Sequence, residues 1–246
     1  MLKSSPLLVA QLSDLHLFST PEQTLLGLKT MASFEAILAA FTKLPTRPDL
    51  ILLTGDLAQD ESPAAYQQIV QHLAPLNIPT YWLPGNHDHQ PSMAKLLGQS
   101  PLCSDKIFQA GGWQFLLLDS TVPQQVYGAF SQDDLAQLDR QLQTHTDPTV
   151  IALHHPPISI DSAWLDNLGL QNAADFLAVV ERYPHVKLAL FGHIHQQVEQ
   201  HRQGVAYLST PSTCVQFAPY QNTFALDETQ PGFRLLRLYD DGTFTT

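Results

Sequence analysis

The chain has few basic residues, few cysteines and no long apolar run. It contains 12 Lys and Arg residues against 23 Asp and Glu residues, so its formal net charge is −11. Because binding to a nucleic-acid backbone requires clustered cations, this balance argues against a nucleic-acid partner. No apolar stretch approaches the roughly 20 residues of a membrane helix, which predicts a protein that does not cross a membrane.

The two cysteines, Cys103 and Cys214, are far apart in the sequence. The first residues, MLKSSPLLVAQLSDLH, lack the charged region, apolar core and cleavage site of a signal peptide. Both observations predict a reduced, cytoplasmic protein. A chain of 246 residues with 44% hydrophobic content can bury a full core. Because the motifs described below span nearly its whole length, we predict a single domain over residues 1–246.

The chain does contain five short apolar runs that each lead into a polar cluster. These runs, within LLVAQL, LILLTGD, TYWLPGN, VIALHH and LALFGH, are predicted to be buried strands. The polar residues therefore fall where a strand ends and a loop begins, which is where open α/β sheets bind ligands. The residues concerned are Asp14, His16, Asp56, Asn86, His87, Asp88, His154, His155, His193 and His195.

Segments with helical periodicity lie between several of these strands. An apolar stripe predicts a helix over residues 29–44, ended by Pro45. Ser62 and Ser131 are predicted to cap the second and third helices, and residues 173–183 form a weaker fourth one. The early order is β-α-β-α-β, but later strands are not all separated by helices. This order predicts sheet layers flanked by helices.

Each polar cluster has an ordinary explanation when taken alone, such as a surface loop for Asp14 and His16 or a turn for Asp56. Together they bring imidazole nitrogens, carboxylate oxygens and an amide oxygen to successive strand ends, without a thiolate. Such a donor set suits manganese, iron or zinc better than calcium or a structural zinc site. The clusters therefore predict a site for two metal ions.

The order and spacing of the motifs resemble the calcineurin-like metallophosphoesterase family. The motifs are Asp14-x-His16, Gly55-Asp56, Gly85-Asn86-His87-Asp88, His154 and Gly192-His193-x-His195. Further segments, above all TPSTCVQFAPY and PGFRLLRLYDDGT, resemble the bacterial class III 3',5'-cyclic AMP phosphodiesterases. The resemblance implies an α/β fold, a four-layer αββα sandwich of two mixed β-sheets flanked by helices, with a dinuclear metal site at the sheet edge.

The resemblance also implies roles for individual residues. The implied metal ligands are Asp14, His16 and His195 for one ion, Asn86, His154 and His193 for the other, and Asp56 as a bridge between them. His87 would be catalytic, donating to the phosphate or protonating the leaving oxygen, with Asp88 orienting its ring. His155 would lie behind the metal ligands. The implied substrate contacts are His16, Asp56, Asn86, His87 and His195.

The implied activity is hydrolysis of 3',5'-cyclic AMP to 5'-AMP by a metal-bridging hydroxide. The implied cofactors are two divalent or trivalent ions, iron or manganese, with zinc as another option. With Asp14 and Asp56 as the only charged ligands, two divalent ions leave the site positive, which suits a monoanionic diester.

Two other functions stay open at this stage. One is a phosphodiesterase of broad specificity that acts on 2',3'-cyclic nucleotides or glycerophosphodiesters, and the other is a non-catalytic scaffold of the same fold. Phe217, Tyr220 and Phe224 could form a wall for a purine or could simply pack on the sheet edge. A homodimer is compatible with the sequence.

Overall fold

The computed structural model describes residues 5–246 and contains two large sheets with helices between their strands. In chain order, the strands are β1 (Leu7–Leu12), β2 (Thr24–Leu25), β3 (Leu28–Lys29), β4 (Leu50–Thr54), β5 (Thr80–Leu83), β6 (Leu102–Cys103), β7 (Ile107–Ala110), β8 (Trp113–Leu117), β9 (Thr149–Ala152), β10 (Val186–Phe191), β11 (Glu199–Arg202), β12 (Val205–Ser209), β13 (Gln216–Phe217), β14 (Leu226–Asp227), β15 (Arg234–Leu238) and β16 (Phe244–Thr245). The helices are α1 (Thr30–Phe41), α2 (Pro63–Leu73), α3 (Gln90–Leu96), α4 (Gln132–Thr144), α5 (Ala163–Asp166) and α6 (Ala173–Val180), with a 3-10 turn at Ala74–Leu76. Within residues 5–246, none of the helices has the length and apolarity needed to span a lipid bilayer.

Both large sheets have six strands and are mixed. The first has the order β16-β15-β1-β4-β5-β6 and the second β11-β12-β10-β9-β8-β7. Neighbouring strands are parallel from β1 through β4 and β5 to β6, and likewise from β8 through β9 and β10 to β12. The other pairings in these two sheets are antiparallel. The carboxyl ends of β1, β4 and β5 therefore lie at one edge of the first sheet, and those of β9 and β10 at one edge of the second.

Three apolar layers separate the elements into a four-layer αββα sandwich. Successive strand residues face opposite sides of a sheet. Ala10 and Ile51 accordingly pack with α1, α2 and α3, whereas Val9 and Leu52 pack between the two sheets. The second sheet behaves in the same way, since alternate residues of β9 contact α4, α5 and α6 or the first sheet. The predicted fold class is confirmed.

The predicted helices form, with shorter ends in two cases. Ser62 Oγ accepts from the N–H of Ala65 at 3.2 Å, and Ser131 forms a reciprocal capping pair with Asp134, as expected for caps. Helix α1 ends at Phe41 instead of residue 44, and α6 ends at Val180 instead of residue 183. Helices α3 and α5 were not predicted because seven and four residues are too few to show a period.

Candidate metal centre

Five strand ends bring seven oxygen- and nitrogen-bearing side chains together. The side chains, here called the donor cluster, are Asp14 and His16 after β1, Asp56 after β4, Asn86 after β5, His154 after β9, and His193 and His195 after β10. Several of these residues have a positive φ, with values of 55° for Asp14, 48° for His16, 51° for Asp56, 70° for His193 and 49° for His195. Positive φ is uncommon outside glycine and costs roughly 1–3 kcal/mol per residue. The surrounding fold therefore imposes these turns, which is typical of functional sites.

Two glycines allow the strand ends to approach closely. A Cβ atom at Gly85 would lie 2.2 Å from Asp56 Oδ1, and one at Gly55 would lie 2.4 Å from His154 Nδ1. Gly55 also has a φ of +94°, which side-chain-bearing residues rarely adopt. Larger residues at either position would push the donor cluster apart.

One part of the donor cluster is formed by Asp14, His16 and His195, all of them buried. His16 Nε2 lies 3.0 Å from His195 Nε2, and His195 Nε2 lies 3.6 Å from Asp14 Oδ1. These three atoms converge closely enough to share one ion.

The other part is formed around His154 and His193. His154 Nε2 lies 3.2 Å from His193 Nδ1 and 3.4 Å from Asp56 Oδ2. The same Asp56 oxygen lies 3.7 Å from His16 Nε2. Asp56 is therefore positioned between the two parts of the donor cluster.

Three of the histidines have one ring nitrogen engaged by an oxygen outside the cluster. The Nδ1 contacts are Gln59 Oε1 for His16 at 2.7 Å, the Thr54 carbonyl for His154 at 2.8 Å and the Val215 carbonyl for His195 at 2.8 Å. An acceptor at Nδ1 requires the proton there, because a carbonyl oxygen cannot donate. In the neutral ring, each Nε2 atom then carries a lone pair directed into the site, the form in which histidine binds a metal.

Burial controls the charge of the donor cluster. It lowers the pKa of His16 to about 4 and that of His193 to about 3, so both rings are neutral at pH 7. Burial raises the pKa of Asp14 to about 7, and the nearby Asp56 charge acts in the same direction. Burial opposes protonation of His154, but the Asp56 carboxylate outweighs it and raises the His154 pKa to about 9. Bound cations would instead stabilise both carboxylates.

The donor cluster fits metal ions on a further observation. Asn86 Oδ1 and His193 Nε2 are buried and, within the part of the chain that the structure describes, have no hydrogen-bond partner. A buried polar atom without a partner costs about 1–3 kcal/mol, so an ion or another ligand is expected to satisfy such atoms. The residues present can hold two metal ions.

Gln59 is a residue of this site that the sequence did not identify. Its Oε1 contacts His16 Nδ1, and its Nε2 lies 3.3 Å from His87 Nδ1. The His87 ring lies next to that of His16, with centroids 5.2 Å apart. The only sequence signal for Gln59 is its position three residues after Asp56, in the loop that follows β4.

Asp88 has different hydrogen-bond partners from the expected one. Its carboxylate accepts hydrogen bonds from the backbone N–H groups of Leu57, Ala58 and Gly85 and from the Tyr66 hydroxyl. None of its hydrogen bonds described within residues 5–246 involves the His87 ring. The expectation that Asp88 orients His87 is corrected, because converging backbone donors occupy the carboxylate instead.

His155 has both ring nitrogens engaged away from the donor cluster. Ser120 Oγ lies 2.8 Å from Nδ1, and the Val126 carbonyl accepts from Nε2 at 3.0 Å. The ring nevertheless packs against His193, at 4.9 Å between centroids. It therefore supports the neighbouring histidine from behind.

Three aromatic side chains, here called the aromatic triad, lie beside the donor cluster. Phe217 stacks on the His195 ring, with centroids 4.2 Å apart and an interplanar angle of 13°. Trp164 and Phe224 complete the triad, with centroids 5.1 and 5.6 Å from that of Phe217. Tyr220 is 74% exposed and lines a different cavity. Trp164, and not Tyr220, therefore lies with Phe217 and Phe224 beside the donor cluster.

Comparison with known proteins finds a matching family and similar relatives. The sequence model of the calcineurin-like phosphoesterase family matches residues 7–197. A protein of Nostoc sp. named 3',5'-cyclic-nucleotide phosphodiesterase is 48% identical, over 98% of this chain and 91% of its own length. The 3',5'-cyclic adenosine monophosphate phosphodiesterase CpdA of Escherichia coli is 43% identical, over 97% of this chain and 87% of its own length.

Solved structures match the fold at low sequence identity. A dimetal phosphatase from Danio rerio has a TM-score of 0.69 and 16% identity, covering 96% of this chain and 94% of its own. GAP50, the anchor in the inner membrane complex of Plasmodium, has a TM-score of 0.67 and 14% identity, covering 96% and 82%. These two matches concern the fold alone.

Proposed function

The chain belongs to the calcineurin-like phosphoesterase family, and from that premise we propose that it hydrolyses 3',5'-cyclic AMP to 5'-AMP. The observation that carries the proposal is the donor cluster, in which buried nitrogen and oxygen atoms from five strand ends converge. Two relatives that are 43% and 48% identical over nearly the whole chain are named for cyclic-nucleotide substrates. Their similarity supports the same substrate class here.

Two metal ions are part of the proposal. Asp14, His16 and His195 would hold one ion, Asn86, His154 and His193 the other, and Asp56 both. The interatomic distances of 3.0–3.7 Å within the cluster support this division. When bound, the ions would supply positive charge that polarises the phosphoryl group and acidifies water. The donor types favour iron or manganese, with zinc as an alternative.

His87 is the proposed proton donor to the leaving oxygen. In the reaction a water oxygen bonds to phosphorus, the bond from phosphorus to the ribose O3' breaks, and O3' takes up a proton. Gln59 supports this role, because its Oε1 accepts from His16 and its amide N–H therefore faces His87 Nδ1. A His87 ring that accepts at Nδ1 carries its proton on Nε2, where it can reach substrate.

The other proposed roles follow the same geometry. The phosphate would contact four side chains that line the same cavity as His87, namely His16, Asp56, Asn86 and His195. Asp88 would support catalysis indirectly. Its carboxylate accepts hydrogen bonds from the backbone N–H groups of Leu57 and Gly85 and so fixes the loop that carries His87. This proposal replaces the orienting role that the sequence suggested for Asp88.

The decisive experiment compares kcat/KM for 3',5'-cyclic AMP, 2',3'-cyclic AMP and a simple aryl phosphodiester. Iron-loaded and manganese-loaded protein should be measured in parallel, with metal content determined by mass spectrometry. We expect cyclic AMP to be the best substrate of the three. A value for cyclic AMP that trails the others by orders of magnitude would leave the broad phosphodiesterase, and absence of any turnover by loaded protein would favour a scaffold.

We also propose a single domain over residues 1–246, cytoplasmic and able to form a homodimer. The shared apolar layer between the two sheets and the donor cluster built from both of them support one cooperative unit. Cys103 and Cys214 are both free thiols, which is the form that a reducing compartment maintains. Light scattering on purified protein would determine the assembly state.

A further inference from the structure

Trp164, in helix α5, has a buried hydrogen-bond donor without an acceptor. Its indole Nε1 has no hydrogen-bond partner among the residues from 5 onward. Indole nitrogen can only donate, so no rearrangement of protons within the ring can satisfy it. Burying such a donor unpaired costs about 1–3 kcal/mol, so an unpaired donor in a native protein calls for an explanation.

Trp164 also lies beside the donor cluster. Trp164 lines a cavity of about 230 Å³ together with His16, Asp56, Asn86 and His87. One side of this cavity therefore carries the donor cluster and the proposed proton donor, and the other side carries apolar and aromatic groups. A cyclic nucleotide has the same two-sided character, since an anionic phosphate lies close to a planar aromatic base.

The aromatic triad connects directly to the donor cluster. Phe217 stacks on His195 of the donor cluster and meets Trp164 edge-on, with an interplanar angle of 71°. Phe224 meets Trp164 at a centroid distance of 5.5 Å and is 51% exposed, so the triad forms the outer rim of the site. A base whose phosphate reaches the donor cluster would therefore meet these rings.

A neighbouring cavity of about 390 Å³ is the competing location for the base. It also borders His195 and Phe217, but it is lined by the carboxylates of Asp161, Glu199 and Asp227. Negative charge there disfavours an anionic diester. The smaller cavity, which also contains more of the donor cluster, is the better candidate.

We propose that Trp164 determines substrate specificity by donating a hydrogen bond from Nε1 to the nucleobase of the cyclic nucleotide, while Phe217 packs against the base. The inference rests on the proposed function, because it assumes a cyclic-nucleotide substrate. Purines offer ring-nitrogen acceptors in the plane of the base, and aromatic rings pack favourably on its face. The metal ions and His87 would act on any diester, whereas Trp164 would select those that carry a base.

The test uses Trp164→Phe, which keeps an aromatic ring and removes the donor. The readout is the ratio of kcat/KM for cyclic AMP to kcat/KM for methyl p-nitrophenyl phosphate, a diester without a base. A neutral hydrogen bond contributes about 0.5–1.5 kcal/mol, so this ratio should fall about 2- to 13-fold. Tyr220→Phe is the matched control, since it removes a donor from the neighbouring cavity and should leave the ratio as in the wild type.

A second readout separates this inference from the proposed function. Adenosine should inhibit hydrolysis of methyl p-nitrophenyl phosphate by the wild type, and Trp164→Phe should weaken that inhibition by a similar factor. If the wild type does not hydrolyse cyclic AMP but adenosine inhibition depends on Trp164, the proposed function fails and the base site stands. Equal loss of activity on both substrates, or adenosine inhibition that ignores the substitution, would overturn the role of Trp164.

Discussion

The donor cluster and the aromatic triad adjoin each other but are built by different parts of the fold. Donor-cluster residues follow five central strands and are almost all buried, with strained turns held by the sheets. The triad comes from a four-residue helix, a two-residue strand and an exposed loop position. In the proposed function, the buried region carries the chemistry that any phosphodiester requires, and the region of short elements carries the part that can vary with substrate. The predictions below test how sharply the two regions divide these tasks.

Asp56→Asn should have the largest effect. Asp56 Oδ2 lies 3.7 Å from His16 Nε2 and 3.4 Å from His154 Nε2, so a neutral amide there should weaken binding of both ions. Even residues outside the first coordination sphere change metal affinity 10- to 100-fold, so kcat/KM should fall about 10³-fold or more. Glu35→Gln, at an exposed carboxylate, is the control. Measuring metal per chain alongside kcat/KM checks the result, and full metal content in Asp56→Asn would contradict the bridging role.

His87→Ala should come next, with a loss of about 10²- to 10⁴-fold in kcat, as expected for removal of a general acid. Metal content should remain that of the wild type, because His87 is only half-buried and lies at the edge of the cluster. Mass spectrometry of the purified variant separates the two roles. Loss of metal would make His87 a ligand and would overturn the assignment.

Gln59 links metal binding to proton transfer, and two substitutions can separate these effects. Gln59→Leu removes both contacts and should reduce metal affinity about 10- to 100-fold, because His16 is no longer held with its proton on Nδ1. Gln59→Glu keeps an acceptor for His16 but presents no donor to His87. It should retain metal and lower kcat. Nitrogen-15 NMR of the metal-free variants would report the proton positions on both rings, and identical spectra to the wild type would rule out this linkage.

Asn86→Asp should have the smallest effect on the donor cluster. The added negative charge leaves the metals bound but repels the anionic substrate. A unit charge at about 4 Å contributes at least about 1 kcal/mol, so KM should rise at least about fivefold. Steady-state kinetics with metal analysis checks this, and unchanged KM and metal content would count against Asn86 as a ligand.

The parts of the site that the sequence predicted are those encoded locally. Asp14, His16, His193 and the other members of the donor cluster directly follow apolar runs, so strand periodicity alone places them at strand ends. Gln59 escaped prediction because its function depends on His16 and His87, which are 43 and 28 residues away in sequence. Asp88 was misjudged for the opposite reason. Its neighbour in sequence suggested a contact, whereas the tight turn directs its carboxylate towards backbone N–H groups.

The segment from Thr210 to Pro231 also makes contacts that could not be predicted from the sequence. It has no clear periodicity, and its strands β13 and β14 have only two residues each. Nothing in the sequence therefore indicates that Phe217 stacks on His195 or that Trp164, more than 50 residues earlier, lies beside it. These contacts arise only when the segments that follow β9, β10 and β12 pack together.

The sequence by itself determined the layered α/β fold, the strand ends and the types of donor atom, because periodicity and residue chemistry are local properties. The tertiary structure decided which histidine nitrogen faces the site, that Gln59 and not Asp88 contacts His87, and that Trp164 leaves a donor unpaired beside the donor cluster. These features depend on the packing of elements that are distant in sequence. Proton position and hydrogen-bond pairing follow from that packing, since each is fixed by the partner that the fold brings within about 3 Å.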